Sequence, residues 1–318
     1  MKIYITGEIP EIAVTRLRQK GFKVNVFKGE NPITGRELMK NAKDADGIIS
    51  LLSDKIDSSI IDNLPKCKVI ANYAVGYNNI DIKHAAEKNI TVTNTPDVLT
   101  DATADLAFAL TLACARRIIE AEKFLRDKKF KGWKPKLMMG LELKGKTFGI
   151  LGAGRIGTAT AIRANAFGMK IIYYSNSINE MLEKSTGARK TTLNNLLEKS
   201  DVVSLHLPLK KETFHLLNKD KLKLLKKAAI LINTARGEIV DEKEMIKLLK
   251  TKKIKSAGLD VYENEPNINP ELLKLNNVVL LPHIGSATED ARNNMALLAA
   301  NNIIKVLSGK KALTPVNK

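Results

Sequence analysis

The sequence predicts an α/β protein with two parallel-sheet domains, one inserted into the other. Three observations support this fold class. Short apolar runs alternate with helix-like segments along most of the chain, which is typical of βαβ units. A glycine-rich turn lies near the middle of the 318 residues, between an apolar run and an Ala-rich segment. A long helical segment near the C-terminus could return to pack on the N-terminal domain, and 318 residues suffice for two cores.

The alternation begins at the N-terminus. Strands are predicted at Ile3 to Thr6, Phe22 to Phe27, Gly47 to Leu51, Val69 to Asn72 and Thr91 to Thr93, and helices at Glu11 to Lys20, Thr34 to Ala42, Ser58 to Asn63 and Ile80 to Lys88. After the fourth strand comes Ala74-Val75-Gly76-Tyr77, at a carboxyl strand end, where such sheets bind ligands. Gly76 could let backbone amides face an anion, or it could simply form a turn. We assign residues 1–98 and 284–318 to this domain.

A long helix is predicted over residues 102–127. Its first half, ADLAFALTLACA, is apolar nearly all the way round, which indicates a helix covered on several sides. Both an intrachain core and a dimer interface fit this pattern. Residues 128–141, which include Trp133, read as an irregular connection.

The central glycine pattern predicts a dinucleotide site. Phe148 to Gly152 reads as a buried strand, and Gly152, Gly154 and Gly157 follow in G-x-G-x-x-G spacing before a helical segment. Glycine serves the tight turn, the approach of backbone to a pyrophosphate and the packing of helix on strand. Spaced glycines alone could form an ordinary turn. In this context they favour a Rossmann domain, at residues 99–283, that binds a nicotinamide or flavin cofactor.

Further αβ repeats complete that domain. Strands are predicted at Lys170 to Tyr174, Val202 to Leu205, Ile230 to Asn233, Ser256 to Asp260 and Val278 to Leu281, and helices at Thr192 to Lys199, Lys219 to Leu225 and Glu242 to Lys250. The last helix is predicted from Thr288 to Leu307, with a capping box of Ser286 and Glu289 and a stop at Gly309.

The end of the second Rossmann strand bears on coenzyme choice. An NAD-preferring enzyme usually places an acid there, to bind the ribose 2′-hydroxyl. This chain has Ser175-Asn176-Ser177, which removes the repulsion toward a 2′-phosphate but supplies no Arg to bind it. The sequence therefore favours NADP(H) over NAD(H).

Composition excludes several classes of protein. Charged residues make up 27% and hydrophobic residues 44%, an ordinary globular balance. The net charge of +18 is spread along the chain without a basic block, so we predict no nucleic-acid partner. No signal peptide or membrane-length apolar stretch is present, which predicts a soluble cytoplasmic protein without a membrane partner. Cys67 and Cys114 match no disulfide framework or metal site.

Three polar residues follow predicted strands of the second sheet: Arg236, Glu265 and His283. Each could be an ordinary surface, loop or packed residue. Their common place at the carboxyl edge favours a site for hydride transfer to a 2-oxo acid. A guanidinium can hold the carboxylate and polarise the carbonyl, His can deliver a proton, and Glu can stabilise the imidazolium.

The sequence closely resembles the D-isomer-specific 2-hydroxyacid dehydrogenases, and within them the glyoxylate/hydroxypyruvate reductases. The resemblance covers essentially the whole chain. The matching segments are YAVGYNNID, TNTPDVLTDATADLAFAL, GILGAGRIG, INTARGEIVD, AGLDVYENEP and LLPHIGSAT. The resemblance implies a substrate domain made from both chain ends, an inserted Rossmann domain and a homodimer.

The resemblance also implies roles for particular residues. Arg236 binds substrate, His283 is the acid/base and Glu265 pairs with it. Substrate binding further involves Leu52, Val75 and Gly76, and no metal is expected. The implied cofactor-binding residues are Gly152, Ala153, Gly154, Arg155, Ile156, Gly157, Ser175, Asn176, Ser177, Thr103, Thr234, Ala235, Arg236, Asp260, His283 and Gly285. Trp133 is expected to reach a partner subunit's site.

The leading hypothesis is an NAD(P)H-dependent reductase of glyoxylate, and of hydroxypyruvate, with the proton coming from His283. One alternative is another enzyme of the family, of the phosphoglycerate or D-lactate type. A second alternative is a dinucleotide-sensing module resembling a corepressor, although the presence of Arg236, Glu265 and His283 favours catalysis.

Overall fold

The chain forms two compact units. The structure is a computed structural model that describes residues 1–317. One unit comprises Met1–Leu99 and the chain from Ser286 onward, and the other comprises Thr100–Gly285. Each unit contains one parallel sheet with helices packed on it, so the predicted α/β class is confirmed. No helix within residues 1–317 has the length and apolar character needed to span a membrane.

The first unit begins with five strands and four helices in alternation. The strands are β1 (Lys2–Ile5), β2 (Lys23–Val26), β3 (Gly47–Ser50), β4 (Val69–Asn72) and β5 (Thr91–Thr93), and the helices are α1 (Glu11–Gln19), α2 (Gly35–Ala42), α3 (Ser58–Asp62) and α4 (Ile82–Glu87). Their order in the sheet is β2-β1-β3-β4-β5. Every residue of β3 and β4 is buried, as expected for interior strands, whereas β2 at the edge alternates exposed and half-buried residues.

The second unit begins with two helices and contains seven strands. The helices are α5 (Thr100–Arg116), α6 (Ile118–Arg126), α7 (Arg155–Ala166), α8 (Glu180–Thr186), α9 (Leu193–Lys199), α10 (Lys219–Leu222), α11 (Glu242–Lys250) and α12 (Pro270–Leu273). The strands are β6 (Thr147–Leu151), β7 (Lys170–Tyr174), β8 (Arg189–Lys190), β9 (Val202–Leu205), β10 (Ile230–Asn233), β11 (Ser256–Leu259) and β12 (Val278–Leu280). A 3-10 turn spans Gly237–Ile239.

The seven parallel strands run in the order β12-β11-β10-β9-β6-β7-β8. The chain moves outward from β6 to β8 on one side and then returns to start β9 on the other side of β6. This reversal makes the carboxyl ends of β6 and β9 a topological switch point, where open α/β sheets bind ligands.

The prediction of one continuous helix over residues 102–127 is wrong, because the structure has two helices there. Arg117 adopts a left-handed conformation, with φ 55°, and separates α5 from α6. The apolar first half packs on β10, β11 and β12 of the same unit, so an intrachain core accounts for it. A Cβ on Gly258 would lie 3.0 Å from Leu110 Cβ and 3.2 Å from Cys114 Sγ, which shows how closely α5 approaches the sheet.

Other differences from the predicted elements are local. Helices α8 and α12 and the two-residue strand β8 were not predicted, and α10 ends at Leu222 rather than Leu225. These elements are too short for hydrophobic periodicity to distinguish them from loops.

The final helix, α13 (Glu289–Leu307), returns to the first unit and packs on α1, β3 and β4. The predicted capping box with Ser286 is wrong. Thr288 is the N-cap, and its side chain accepts a hydrogen bond from the Ala291 N–H. Beyond the helix, Val316 N–H donates to the Val92 carbonyl at 2.9 Å, which ties the C-terminal segment to β5.

Candidate active site

The glycine turn joins β6 to α7 at the switch point. Gly152 has φ +98°, a conformation that other residues rarely adopt. A Cβ on Gly157 would lie 2.1 Å from the Gly152 carbonyl oxygen, so α7 could not start so close to the turn with a larger residue. Packing within the protein therefore accounts for both of these glycines.

Gly154 differs from its two neighbours in the motif. Its φ is −79°, and an added Cβ would meet no heavy atom within 4 Å. Nothing in the chain itself therefore requires glycine at this position. Gly154 is the N-cap of α7 and no side chain caps that helix, which leaves N–H groups for an anion. The open space and the uncapped helix fit the pyrophosphate of a dinucleotide.

We expect Gly154→Ala to weaken NADPH binding by about tenfold or more while the fold stays within about 1 kcal/mol of wild type. The added methyl group enters open space, which the pyrophosphate would occupy under this hypothesis. Coenzyme fluorescence titration and urea unfolding measure the two effects.

Gly157→Ala is the matched control. It should lose roughly 1 to 3 kcal/mol of stability, because its methyl group meets backbone. Unchanged NADPH affinity in a folded Gly154→Ala variant would contradict the proposed pyrophosphate contact.

Arg236 lies on the loop after β10, and Asn233 holds that loop in place. Asn233 Nδ2 donates to the Arg236 carbonyl at 2.8 Å, and its Oδ1 accepts from the Ala235 N–H at 3.0 Å. A Cβ on Gly237 would lie 1.9 Å from the Tyr262 carbonyl carbon, so this loop packs directly against the loop after β11. The half-buried Arg236 side chain is thereby brought to the side of the sheet that carries Glu265.

His283 and Glu265 form a hydrogen-bonded pair. They follow the adjacent strands β12 and β11, and His283 Nδ1 lies 2.8 Å from Glu265 Oε2. The other carboxylate oxygen accepts from the Tyr262 N–H at 2.9 Å. His283 has φ 54°, a backbone conformation that residues other than glycine adopt only uncommonly. About a third of the His283 side chain remains exposed.

The charges around Glu265 keep it ionised. Burial, the largest single influence, raises its pKa, but the hydrogen bond and charge of His283, the Tyr262 N–H and the charge of Arg236 together lower it below the ordinary value. An ionised carboxylate only accepts hydrogen bonds, so His283 Nδ1 carries the hydrogen of the pair. Nε2 is then the ring atom that can hold or release a proton. Burial lowers the pKa of Arg236, opposed by the charges of Glu265 and Glu238, yet a guanidinium stays protonated in proteins.

The lowered pKa of Glu265 predicts a pH-dependent contribution to stability. An acid whose pKa is lower in the folded chain stabilises the fold above its unfolded pKa, and this contribution is lost as pH falls through the folded value. The stability difference between wild type and Glu265→Gln should therefore be largest near neutral pH and shrink between about pH 5 and pH 3. Urea midpoints across this range, with the exposed Glu30→Gln as control, measure it. A difference that grows toward acid would contradict the prediction.

Four further predicted cofactor residues also lie in this unit. Asp260 Oδ1 accepts from the Ile284 N–H at 2.7 Å, whereas its buried Oδ2 and the buried Thr234 Oγ1 have no hydrogen-bond partner in the described chain. A Cβ on Gly285 would lie 3.2 Å from Asp260 Oδ2 and 3.4 Å from Thr103 Cγ2, so these residues are clustered. Burial raises the pKa of Asp260. Unpartnered buried polar atoms fit a polar ligand group such as a carboxamide.

The predicted substrate residues Leu52, Val75 and Gly76 lie in the first unit. They follow the adjacent strands β3 and β4 at their carboxyl ends. Asn72 Nδ2 donates to the Gly76 carbonyl and Asn94 Nδ2 to the Val75 carbonyl, both at 2.8 Å. Within residues 1–317 these bonds fix the loop through its carbonyls, and the amide N–H groups of Val75 and Gly76 meet no acceptor. Two such amides suit an anion.

Two residues near the glycine turn were missed in the sequence. Asn179 Nδ2 donates to the Ala153 carbonyl and to Thr158 Oγ1, both at 2.9 Å, and so holds the turn against α7. His206 follows β9, and its backbone would lie 2.8 Å from a Cβ on Gly152. Burial lowers the pKa of His206 to about 3, so its ring is neutral, and Nε2 lies 2.9 Å from Ser204 Oγ. His206 directly follows a predicted strand, and this position could have identified it as a residue near the glycine turn.

Comparison with known proteins agrees with this geometry. The model of the D-isomer-specific 2-hydroxyacid dehydrogenase NAD-binding domain matches residues 108–285. A glyoxylate reductase from Pyrococcus horikoshii is 49% identical, over 100% of this chain and 96% of its own. The crystal structure of the TT0316 protein from Thermus thermophilus has a TM-score of 0.94 at 42% identity, covering 99% and 100% of the two chains.

A second solved structure carries ligands. It is an NADPH-dependent glyoxylate/hydroxypyruvate reductase from Sinorhizobium meliloti, in complex with NADP and malonate. Its TM-score is 0.88 at 35% identity, and the match covers 99% of this chain and 96% of that one. The family match and the full-length identities together settle the classification. The chain belongs to the D-isomer-specific 2-hydroxyacid dehydrogenase family and is an NAD(P)-dependent oxidoreductase.

Proposed function

We propose that this enzyme reduces glyoxylate, and also hydroxypyruvate, to the corresponding 2-hydroxy acid. The observation that carries the proposal is the His283–Glu265 pair, 2.8 Å apart at the strand edge that also presents the half-buried Arg236. An acid/base beside a fixed cation is what reduction of a carbonyl next to a carboxylate needs. The reductases from P. horikoshii and S. meliloti support this substrate class.

Each residue of the group has a separate task. The guanidinium of Arg236 binds the substrate carboxylate through two parallel hydrogen bonds and polarises the adjacent carbonyl. His283 Nε2 gives its proton to the carbonyl oxygen as that oxygen gains negative charge. Glu265 holds the ring through Nδ1 and stabilises the imidazolium before the proton leaves. Bound NAD(P)H would supply the hydride to the carbonyl carbon.

The remaining residues bind rather than react. In the first unit, Val75 and Gly76 offer amide N–H groups that suit an anion, and Leu52 lies at the neighbouring strand end. These three are the proposed substrate-binding residues of that unit. The glycine turn with Ala153, Arg155 and Ile156 holds the pyrophosphate. The cluster around the unpartnered atoms of Asp260 and Thr234 receives the nicotinamide, together with Thr103, Ala235 and Gly285.

The coenzyme in this proposal is NADP(H) rather than NAD(H). Ser175, Asn176 and Ser177 follow β7 without a carboxylate, so no negative side chain in these positions repels a 2′-phosphate. The S. meliloti relative is described as NADPH-dependent and was solved with NADP.

The homodimer and the cytoplasmic location stay predictions from the sequence. Large apolar side chains are exposed in one stretch of the second unit, at Ile118, Ile119, Leu125, Phe130 and Trp133, the last with 81% of its surface accessible. Monomers rarely expose such a series, and a second copy of the chain would cover it. Light scattering of the purified protein tests the dimer.

Steady-state oxidation of NADPH and NADH with a panel of 2-oxo acids tests the proposed function. We expect the highest kcat/KM with glyoxylate, followed by hydroxypyruvate, and a preference for NADPH. Absence of turnover with glyoxylate, while pyruvate or a phosphorylated substrate is reduced, would overturn the substrate assignment. A clear preference for NADH would overturn the coenzyme assignment alone.

A further inference from the structure

A cavity of about 770 Å³ opens at the carboxyl end of β7. Its wall combines the apolar side chains of Tyr174, Ile178 and Leu193 with a polar and basic group. That group consists of Ser175, Asn176, Arg189, Lys190, Thr191 and Thr192. The three-residue segment that follows β7 contains no cation, yet two cations reach this place from elsewhere in the chain. The sequence of that segment alone therefore gives no sign of the two cations beside it.

The edge strand β8 brings these cations to the cavity. It pairs in parallel with β7, so that Ile172 is opposite Arg189 and Tyr173 is opposite Lys190. The chain returns through α8 and places Lys190 Nζ 2.9 Å from the Asn176 carbonyl oxygen, 14 residues earlier in sequence. The pairing register therefore fixes both basic residues beside the end of β7.

The charge of this cavity is not neutralised by ion pairs. Within residues 1–317 no carboxylate lies within ion-pair distance of Arg189, and the partner of Lys190 is an uncharged carbonyl. One carboxylate, Glu183, lines the same cavity, and its Oε1 accepts from the Tyr173 hydroxyl at 2.7 Å. Two exposed cations against one carboxylate leave a positive site with hydroxyl and amide donors around it.

The location of the cavity indicates what it binds. The glycine turn lies at the end of β6, and β7 is the next strand in the sheet. In dinucleotide domains the pyrophosphate occupies that turn and the adenosine ribose lies at the end of the following strand. We propose that Arg189 and Lys190 bind the 2′-phosphate of NADP(H) in this cavity. This inference rests on the proposed function, and it assigns the coenzyme preference to two named residues.

The chemistry suits a dianionic phosphate. The planar guanidinium of Arg189 offers two parallel N–H groups to phosphate oxygens, and Lys190 adds a point charge. The side chains of Ser175 and Thr191 supply further donors from the same wall. A 2′-hydroxyl in the same place gains none of the charge attraction, so the site distinguishes the two coenzymes.

Direct binding of two nucleotide fragments tests the site without turnover. Calorimetry compares adenosine 2′,5′-bisphosphate with adenosine 5′-monophosphate, which differ only in the 2′-phosphate. Wild type should bind the bisphosphate more tightly. In the Arg189→Ala/Lys190→Ala variant that affinity should fall by about tenfold or more, because both cations that face the 2′-phosphate are removed. The affinity for the monophosphate should stay within about twofold. Lys184→Ala, on α8 and outside the cavity wall, is the matched control.

Charge reversal provides a second variant. Arg189→Glu should abolish the preference for the bisphosphate while circular dichroism stays that of wild type, because the residue is exposed on an edge strand. The site assignment is overturned if wild type shows no preference for the bisphosphate, or if the preference survives in the double variant. Failure of the proposed function would give a different result. Glyoxylate would then oxidise neither NADPH nor NADH, while the fragments would still bind as expected.

Discussion

Replacing His283 by asparagine is expected to lower kcat for glyoxylate reduction by roughly 10²- to 10⁴-fold, the usual contribution of a positioned acid/base. Asparagine is the matched replacement for two reasons. It tolerates the left-handed backbone found at His283, with φ 54°, and its amide can still donate to Glu265 Oε2. What it lacks is a proton to deliver at the position of Nε2.

Coenzyme binding separates loss of chemistry from loss of fold. NADPH affinity of His283→Asn should remain within about threefold of wild type, because the glycine turn and the β7 end lie elsewhere along the same strand edge. A variant that keeps more than about a tenth of kcat while NADPH binding is unchanged would refute the role of proton donor.

Replacing Arg236 by alanine is expected to reduce kcat/KM for glyoxylate by roughly 10²- to 10³-fold. Removing one partner of a buried, hydrogen-bonded charge pair costs about 2 to 5 kcal/mol. Because the proposed contact is to the carboxylate, the loss should depend on the substrate. For glycolaldehyde, a carbonyl compound without a carboxylate, kcat/KM should fall much less than for glyoxylate when both are measured at the same NADPH concentration.

Arg236→Lys is the companion variant. Lysine keeps the positive charge but cannot make two parallel hydrogen bonds, so its kcat/KM should lie between those of wild type and Arg236→Ala. Equal losses for glyoxylate and glycolaldehyde would show that Arg236 acts through Glu265, whose pKa it lowers, rather than through the carboxylate. Unchanged efficiency with glyoxylate would refute the role altogether.

Sequence reasoning predicted that polar residues of the second unit lie together at one strand edge because two rules act together. Apolar runs mark the strands, and parallel strands present their carboxyl ends at one edge, so polar residues after different strands can be expected to meet. His283 and Glu265 illustrate this, since 18 residues separate them and the adjacent strands β11 and β12 bring them to 2.8 Å. Gly154 was also identified from spacing, although only the structure separates its open surroundings from the crowded ones of Gly157.

What the sequence did not provide depends on contacts between distant segments. The break at Arg117 interrupts a stretch of good helix formers, so local propensity gives no sign of it. Thr288, rather than Ser286, caps α13, and both are suitable cap residues two positions apart. Arg189 could not be related to Ser175 without the pairing of β8 with β7, because a two-residue strand leaves no periodic pattern.

Because α13 packs on the first unit, that unit cannot be completed until the end of the chain has been synthesised. On the ribosome, residues 1–99 emerge first, yet the helix that packs on β3 and β4 emerges last. Residues 100–285 carry a complete core and can fold in between. At about 5 to 20 residues per second, β3 and β4 remain without the helix that covers them for roughly 10 to 40 seconds. The aggregation risk of the nascent polypeptide is therefore concentrated in that interval.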